Sequence, residues 1–199
     1  MLLWTDFLFF DIKLIMINKE KTLLVLKPDA VKRNLVGEIV KRVENMSFEI
    51  VAAKLVTASR ELGEKHYPNT DEWKLNVGAR TIEDCEKYGI DLMENMGTED
   101  PLEIGNLVKK WNVDYLCSGP VFAFVLEGYN AVERLRSLVG STVPTKANPG
   151  TVRGDFSLDS AIVANSQGRT IYNLVHASGT VEEAEYEIGL WFKPEELVK

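Results

Sequence analysis

What this chain has little of narrows it first. It carries two cysteines and two histidines in 199 residues. Cys85 and Cys117 stand far apart, with neither paired nor metal-ligand spacing, so no disulfide framework and no cysteine-held metal is expected. Both read as small buried hydrophobes suited to a reducing, cytoplasmic compartment. No Asp/Glu/His cluster has the spacing of a metal cage. Positive charge is also short: 23 Lys and Arg stand against 30 Asp and Glu, for a net charge of −7. Duplex nucleic acid is therefore an unfavourable partner, because neutralising its phosphates needs a surplus of cations. Long hydrophobic runs are absent. Residues 1–18 are apolar, but Asp6, Asp11 and Lys13 interrupt them, and no basic segment or small-residue cleavage site is present. Neither a membrane span nor a secretory signal is expected. These residues are read as an N-terminal extension, with Met16 as an alternative start or the segment as an oligomer contact. One domain over 19–199 follows it.

Catalytic loops of familiar kinds are missing as well. There is no Walker-type phosphate loop, no glycine-rich kinase loop, no Arg-His-Gly triplet and no Gly-x-Ser-x-Gly elbow. Phosphate chemistry in this chain would have to use a histidine itself. His176 is placed for it. Asn173-Leu174-Val175 deliver it to the end of a short strand, and Ser178-Gly179-Thr180 turn into a helix. Thr180 is the expected N-cap and Glu183 its capping-box partner. A helix N-terminus beside the imidazole welcomes anions. Taken alone, such a histidine is more often a satisfied structural residue, so the rest of the chain must decide.

Thr22–Leu26 is a continuous apolar run that suits a strand covered on both faces or central in its sheet. Pro28 stops it sharply and leaves Lys27 at its end. Leu35, Ile39, Val43 and Met46 have helical spacing. A second strand is expected over Glu49–Val56 and a helix over Arg60–Tyr67. Residues 69–101 read as a helical insertion, in which Thr81 with Asp84 can cap a helix that Gly89 ends. Asp100-Pro101-Leu102-Glu103 combines a capping Asp, Pro at the first helical position and Glu at the third, and starts a helix running to about Asp114. Val121–Leu126 is a third strand. Val132, Leu135, Leu138 and Val139 make a helix that stops at Gly140. The stretch from Ser141 to Tyr172 shows little periodicity, and a connection that long is usually functional. It holds Thr142, Lys146, Arg153 and Asp155. The strand of His176 and a helix over Val181–Trp191 close the domain. This order predicts an α+β, ferredoxin-like βαββαβ domain. Its four-stranded antiparallel sheet would have helices on one face, additional helices and a long active-site loop.

Four separated blocks complete the pattern: Lys27-Pro28-Asp29-Ala30-Val31; Ser118-Gly119-Pro120-Val121 with Leu126-Glu127-Gly128; Pro149-Gly150-Thr151-Val152-Arg153-Gly154-Asp155-Phe156; and Asn173-Leu174-Val175-His176-Ala177-Ser178. Each is weak alone, but in this order the chain resembles the nucleoside diphosphate kinases from about Lys21 to Phe192. The resemblance implies a ping-pong transfer from a nucleoside triphosphate through a phosphohistidine at His176 to a nucleoside diphosphate. It further implies that Lys27 neutralises the moving phosphate with Tyr67 nearby. Arg136, Thr142 and Arg153 would contact phosphate, Asn173 would bond the sugar and phosphate region, and Ser178 and Glu187 would support the histidine. Lys27, Arg136 and Thr142 alone would read as a solvated strand end, a helix-surface charge and a turn residue.

Val181, Ala184, Ile188 and Trp191 form the apolar stripe of the last helix. At about 100° per residue, Glu185 and Glu187 flank it on opposite sides and periodicity cannot choose between them; the resemblance picks Glu187. Mg2+ is implied as a companion of the nucleotide phosphates, with no dedicated metal site. So is a homo-oligomer, a hexamer or a tetramer of dimers. The chain departs from the family at Gly179 and Asn69, where acidic residues that help hold Mg2+ are usual; Asp71 or Glu72 could substitute. The insertion disturbs the register of the base-stacking residue and leaves Val108 and Trp111 as candidates. The departures at Gly179 and Asn69 also open an alternative, a catalytically weak nucleotide-binding scaffold.

Overall fold

The computed structural model describes residues 19–198; the extension over 1–18, with Met16, lies outside them. Strand β1 (Lys19–Leu26) leads through the short α1 (Pro28–Lys32) and α2 (Val36–Asn45) to β2 (Glu49–Thr57). Four helices follow: α3 (Arg60–His66), α4 (Asp71–Tyr88), α5 (Leu92–Met96) and α6 (Pro101–Leu116). Then come β3 (Pro120–Tyr129), α7 (Ala131–Val139), two short helices α8 (Val152–Phe156) and α9 (Ala161–Ser166), β4 (Val175–Ala177) and α10 (Val181–Trp191). The strands form one sheet in the order β2-β3-β1-β4, every pair antiparallel. This is the ferredoxin-like arrangement. No helix among the described residues is long and apolar enough to cross a membrane.

β1 is central, which explains its unbroken apolar run. Leu24 and Leu26 face α2 and α7, packing with Ile39, Val43, Leu135 and Val139. Leu23 and Val25 face the other way, onto Leu116, Ile188 and Trp191. Helices therefore cover both faces of the sheet, not one as the element order suggested. The βαββαβ repeat supplies α2 and α7 on one side, and α6 and α10 bury the alternate residues of β1 and β3 on the other. Each fully buried Leu or Val contributes about 1.5–3 kcal/mol, so a sheet with residues of both faces buried has a strong reason to recruit the extra helices.

The segment after β2 differs in detail from its sequence reading. α4 starts ten residues before Thr81, with Thr70 accepting the Trp73 N–H as N-cap. Thr81 lies inside the helix and turns its hydroxyl back to the Val77 carbonyl. Gly89 ends the helix in the left-handed conformation, φ 65°. Asp100 caps α6 by accepting the Leu102 and Glu103 N–H groups. α4 and α6 then approach so closely that a Cβ on Gly78 would sit 1.9 Å from the Pro101 carbonyl oxygen, and one on Gly105 2.2 Å from that of Lys74. The connection from Ser141 to Tyr172 is not structureless either. It contains α8, α9 and a 3-10 turn over Pro144–Lys146. These are too short for periodicity to reveal.

Candidate active site

The site begins where β1 ends. Pro28 at the first position of α1 stops the strand, and the Lys27 N–H donates to the Leu174 carbonyl across to the approach of β4. That approach is strained. Leu174 has φ 68°, and the Val175 N–H closes a three-residue turn onto the Asn173 carbonyl at 2.7 Å. A leucine in this region costs about 1–3 kcal/mol and persists only where its surroundings over-determine it. Here Asp29 Oδ2 accepts the Leu174 N–H at 3.1 Å, and the side chain is fully buried. The turn brings the buried Asn173 side chain back to Lys27: Nζ donates to Oδ1 at 2.8 Å, while Nδ2 donates to the Thr142 carbonyl at 2.9 Å.

His176 follows on β4, paired with Val25. Its Nε2 is buried and lies 2.8 Å from Glu187 Oε1, at hydrogen-bond distance though at a bent angle. Glu187 Oε2 accepts the Ser178 hydroxyl at 2.6 Å, and Ser178 Oγ accepts the Leu23 N–H at 3.3 Å. Glu187 is buried and Glu185 exposed, which resolves what periodicity left open. Burial among the cations Lys27, Arg153 and Arg136 holds the His176 imidazole down to about 3. At neutral pH it is uncharged, so the 2.8 Å contact with Glu187 is not an ion pair, and its bent angle leaves Nε2 without a formed hydrogen bond. Burial pushes Glu187 up, opposed by the neighbouring His66 and by the hydroxyl of Ser178. Burial beside Arg153 also brings Lys27 down to about 7.

A cleft of about 1290 Å³ opens from this floor. Lys27, Tyr67, Arg136, Thr142, Arg153, Asn173, His176 and Glu187 line it, and Ser178 lies behind, fully buried. Their commitments differ. Arg136 and the Thr142 side chain are exposed to the cleft. Arg153 is buried and spends three donors on the carbonyls of Gly140, Asn173 and Val175, leaving two N–H groups for a ligand. Burial and the neighbouring Arg136 lower it only to about 10, so it stays cationic. The Tyr67 hydroxyl is buried without a partner. Lys146 lines the cleft, whereas Asp155 turns away to Arg42 and the Gly150 N–H. Trp73, Val77, Val108 and Trp111 form an outer wall supplied by α4 and α6. Val181, assigned to the apolar stripe of α10, is exposed.

The capping of α10 carries a further detail. Thr180 accepts the Glu183 N–H as expected, but the Glu183 carboxylate reaches one residue further back, to the Gly179 N–H at 2.8 Å. A Cβ on Gly179 would lie 2.5 Å from Glu183 Oε2. The carboxylate of Glu183 thus occupies the room a side chain at 179 would take. Asp71 pairs with Lys74, and neither Asp71 nor Glu72 lines the cleft. Sequence reasoning missed Glu183 in this role, and it missed Asp29 and His66 at the floor. For Asp29 the Lys-Pro-Asp block held the signal; for His66 the signal was only its rarity. Ligand atoms of His66, His176 and Glu187 lie within 4.8 Å of one another. Two of the three ligands are imidazoles, a nitrogen-rich set that suits no oxygen-seeking cation.

Comparisons with known proteins bear on the family and the fold. The family model described as nucleoside diphosphate kinase matches residues 20–75 and 109–197. A nucleoside diphosphate kinase of Pyrobaculum aerophilum is 49% identical over 180 residues, covering 90% of this chain and 98% of that protein. A crystal structure of an NDP kinase from the same organism superposes with a TM-score of 0.89 at 47% identity, covering 92% of this chain and all of the other. The Borrelia burgdorferi nucleoside-diphosphate kinase, solved as a transition state mimic with bound vanadate and ADP, gives a TM-score of 0.72 at 34% identity over 91% of each chain. With sheet order, cleft and sequence pointing the same way, the chain belongs to the nucleoside diphosphate kinase family.

Proposed function

We propose that this kinase moves the γ-phosphoryl group of a nucleoside triphosphate to a nucleoside diphosphate through His176. The Nδ1 lone pair attacks the γ-phosphorus, an N–P bond forms, and the bond to the bridging oxygen breaks with its electron pair leaving on the β-phosphate. A second nucleoside diphosphate then attacks the phosphohistidine in the reverse sense. Splitting one transfer into two in-line steps is the gain of covalent catalysis. The observation that carries this reading is the placement of His176, with Nε2 2.8 Å from Glu187 Oε1 and the ring lining the cationic cleft. Glu187 keeps the proton on Nε2, so Nδ1 holds the lone pair, and it balances the charge the ring gains as the N–P bond forms. Ser178 holds Glu187. Lys27, Arg136 and Arg153 face the charge spread over the phosphoryl oxygens, which is most of what a protein can contribute to such a transfer. Tyr67 and Thr142 offer hydroxyls to the phosphates, and Asn173 both orients Lys27 and faces the sugar. Val108 or Trp111 takes the base.

Mg2+ enters as part of the nucleotide substrate, where it neutralises phosphate charge. It needs oxygen ligands, and Glu183, poised over Gly179, fits that need better than Asp71 or Glu72. Residues 69–101 are read as an insertion within the single domain over 19–199; the gap between the two blocks of the family match, residues 76–108, overlaps most of that stretch. A cytoplasmic homo-oligomer, a hexamer or a tetramer of dimers, is the assembly this reading favours; light scattering checks it.

The test is a two-step transfer. Protein mixed with γ-labelled ATP and Mg2+ should carry acid-labile, base-stable label and pass it to added GDP, and His176→Ala should do neither. Label that survives in the variant would sink the assignment.

A further inference from the structure

The mechanism leaves one buried imidazole unused. His66, the last residue of α3, has a fully buried side chain and packs edge-to-face on His176 with ring centroids 4.3 Å apart. Its Nδ1 accepts the indole N–H of Trp191 at 3.3 Å and lies 3.8 Å from Glu187 Oε1. Its Nε2 is buried without a partner. An Nδ1 that accepts a hydrogen bond holds a lone pair, so the proton of the neutral ring sits on Nε2. Burial, with the neighbouring His176 and Lys27, pushes this ring well below its usual value, against the pull of Glu187. A phenyl ring of similar size would fill the same space without an orphaned N–H, so packing alone does not explain a histidine here.

Trp191 supplies the reason. Glu187 and Trp191 are one turn apart on α10, so their side chains are neighbours on one face. The indole N–H stands 3.3 Å from His66 Nδ1, which is itself 3.8 Å from Glu187 Oε1, so without that acceptor it would be a second donor beside Glu187, in competition with His176. We propose that His66 is a positioning residue that occupies the Trp191 N–H and so reserves Glu187 Oε1 for His176 Nε2, with Oε2 kept by Ser178. A neutral His66 does this without presenting a proton of its own to the carboxylate. This rests on the reading of His176 and Glu187 given above.

The test is a cycle of variants read on the rate of phosphohistidine formation in a single turnover, beside nucleotide affinity and thermal unfolding. In His66→Phe the indole N–H loses its acceptor and turns to Glu187; the rate should fall about tenfold or more, a size normal for coupling between touching residues, with affinity unchanged. His66→Asn, whose amide oxygen can stand near the Nδ1 position, should keep most of the rate. The double variant His66→Phe/Trp191→Phe removes the competing donor and should recover speed over His66→Phe. A space-filling role predicts the reverse order, with His66→Phe mild and His66→Asn severe. That result, or a double variant no faster than His66→Phe, overturns the proposal. Nitrogen-15 spectra of the unliganded protein give a readout independent of turnover. They should show His66 as the Nε2–H tautomer, and His176 should shift in His66→Phe. An Nδ1–H tautomer for His66, or an unmoved His176, also overturns it. A wild-type protein that takes up no label, with the spectra as expected, would instead overturn the phosphohistidine reading and leave the His66 contact standing.

Discussion

The floor of the cleft and its outer wall are built on opposite principles. At the floor, buried polar side chains from β1, the turn at Leu174, β4 and α10 hold one another: Lys27 to Asn173, Asn173 to Thr142, Ser178 to Glu187, Glu187 against His176. On the wall, α4 and α6 are held together by backbone contact at Gly78 and Gly105, and their polar side chains mostly face solvent. The difference teaches where precision resides. Polar groups in a low-dielectric setting must be matched, and once matched they set protonation states. A pair of packed helices only needs the right shape.

Four experiments sharpen that contrast. Glu187→Ala should slow phosphohistidine formation by about 3–4 kcal/mol of barrier, the loss typical of a preorganised electrostatic contact. Quench-flow with labelled ATP measures it, and an unchanged rate would break the floor side of the comparison. Gly78→Val should act on the wall alone. Its Cβ would meet the Pro101 backbone, so α4 and α6 must part, and denaturant unfolding should report a loss of about 1–3 kcal/mol or more. Label uptake per folded molecule should persist.

The third experiment concerns Lys27, which burial brings to about 7. A bound phosphate dianion favours the ammonium form, so its pKa rises on binding. Above pH 7 the free site has lost the proton that the complex holds, and binding takes one up. Affinity should therefore weaken as pH rises through 7, by up to about tenfold per pH unit. Calorimetry in buffers of different ionisation heat reads the uptake directly, and Lys27→Gln should abolish it. Last, Asp100→Ala removes the cap of α6 and should cost about 1 kcal/mol of stability without touching the phosphorylation rate.

Much of the fold was legible because it is local. The unbroken run ending at Leu26, the stop at Pro28, the Asp100-Pro101 start of α6 and the Gly89 stop of α4 each follow from backbone and side-chain preferences within a few residues. Thr81 misled because a Thr with an acidic residue three positions on satisfies a capping pattern wherever it falls; the true cap, Thr70, was masked by the surrounding polar residues. The short helices α8 and α9 span one or two turns, too few for a period to show. The second covered face of the sheet followed from α6 and α10, whose packing partners lie far along the chain.

The site divides in the same way. The amino-acid sequence by itself determined which groups are available: one histidine at a strand end, a lysine at another, a serine two residues on, and two glutamates either side of a helical stripe. Recurring blocks of residues named their family. Only the tertiary structure decided which glutamate meets the imidazole, how Glu183 fills the space over Gly179, and that an indole N–H from residue 191 meets a ring 125 positions earlier. Periodicity describes one element's own face, whereas hydrogen-bond partners and protonation depend on what another element brings against that face and on how much water it removes.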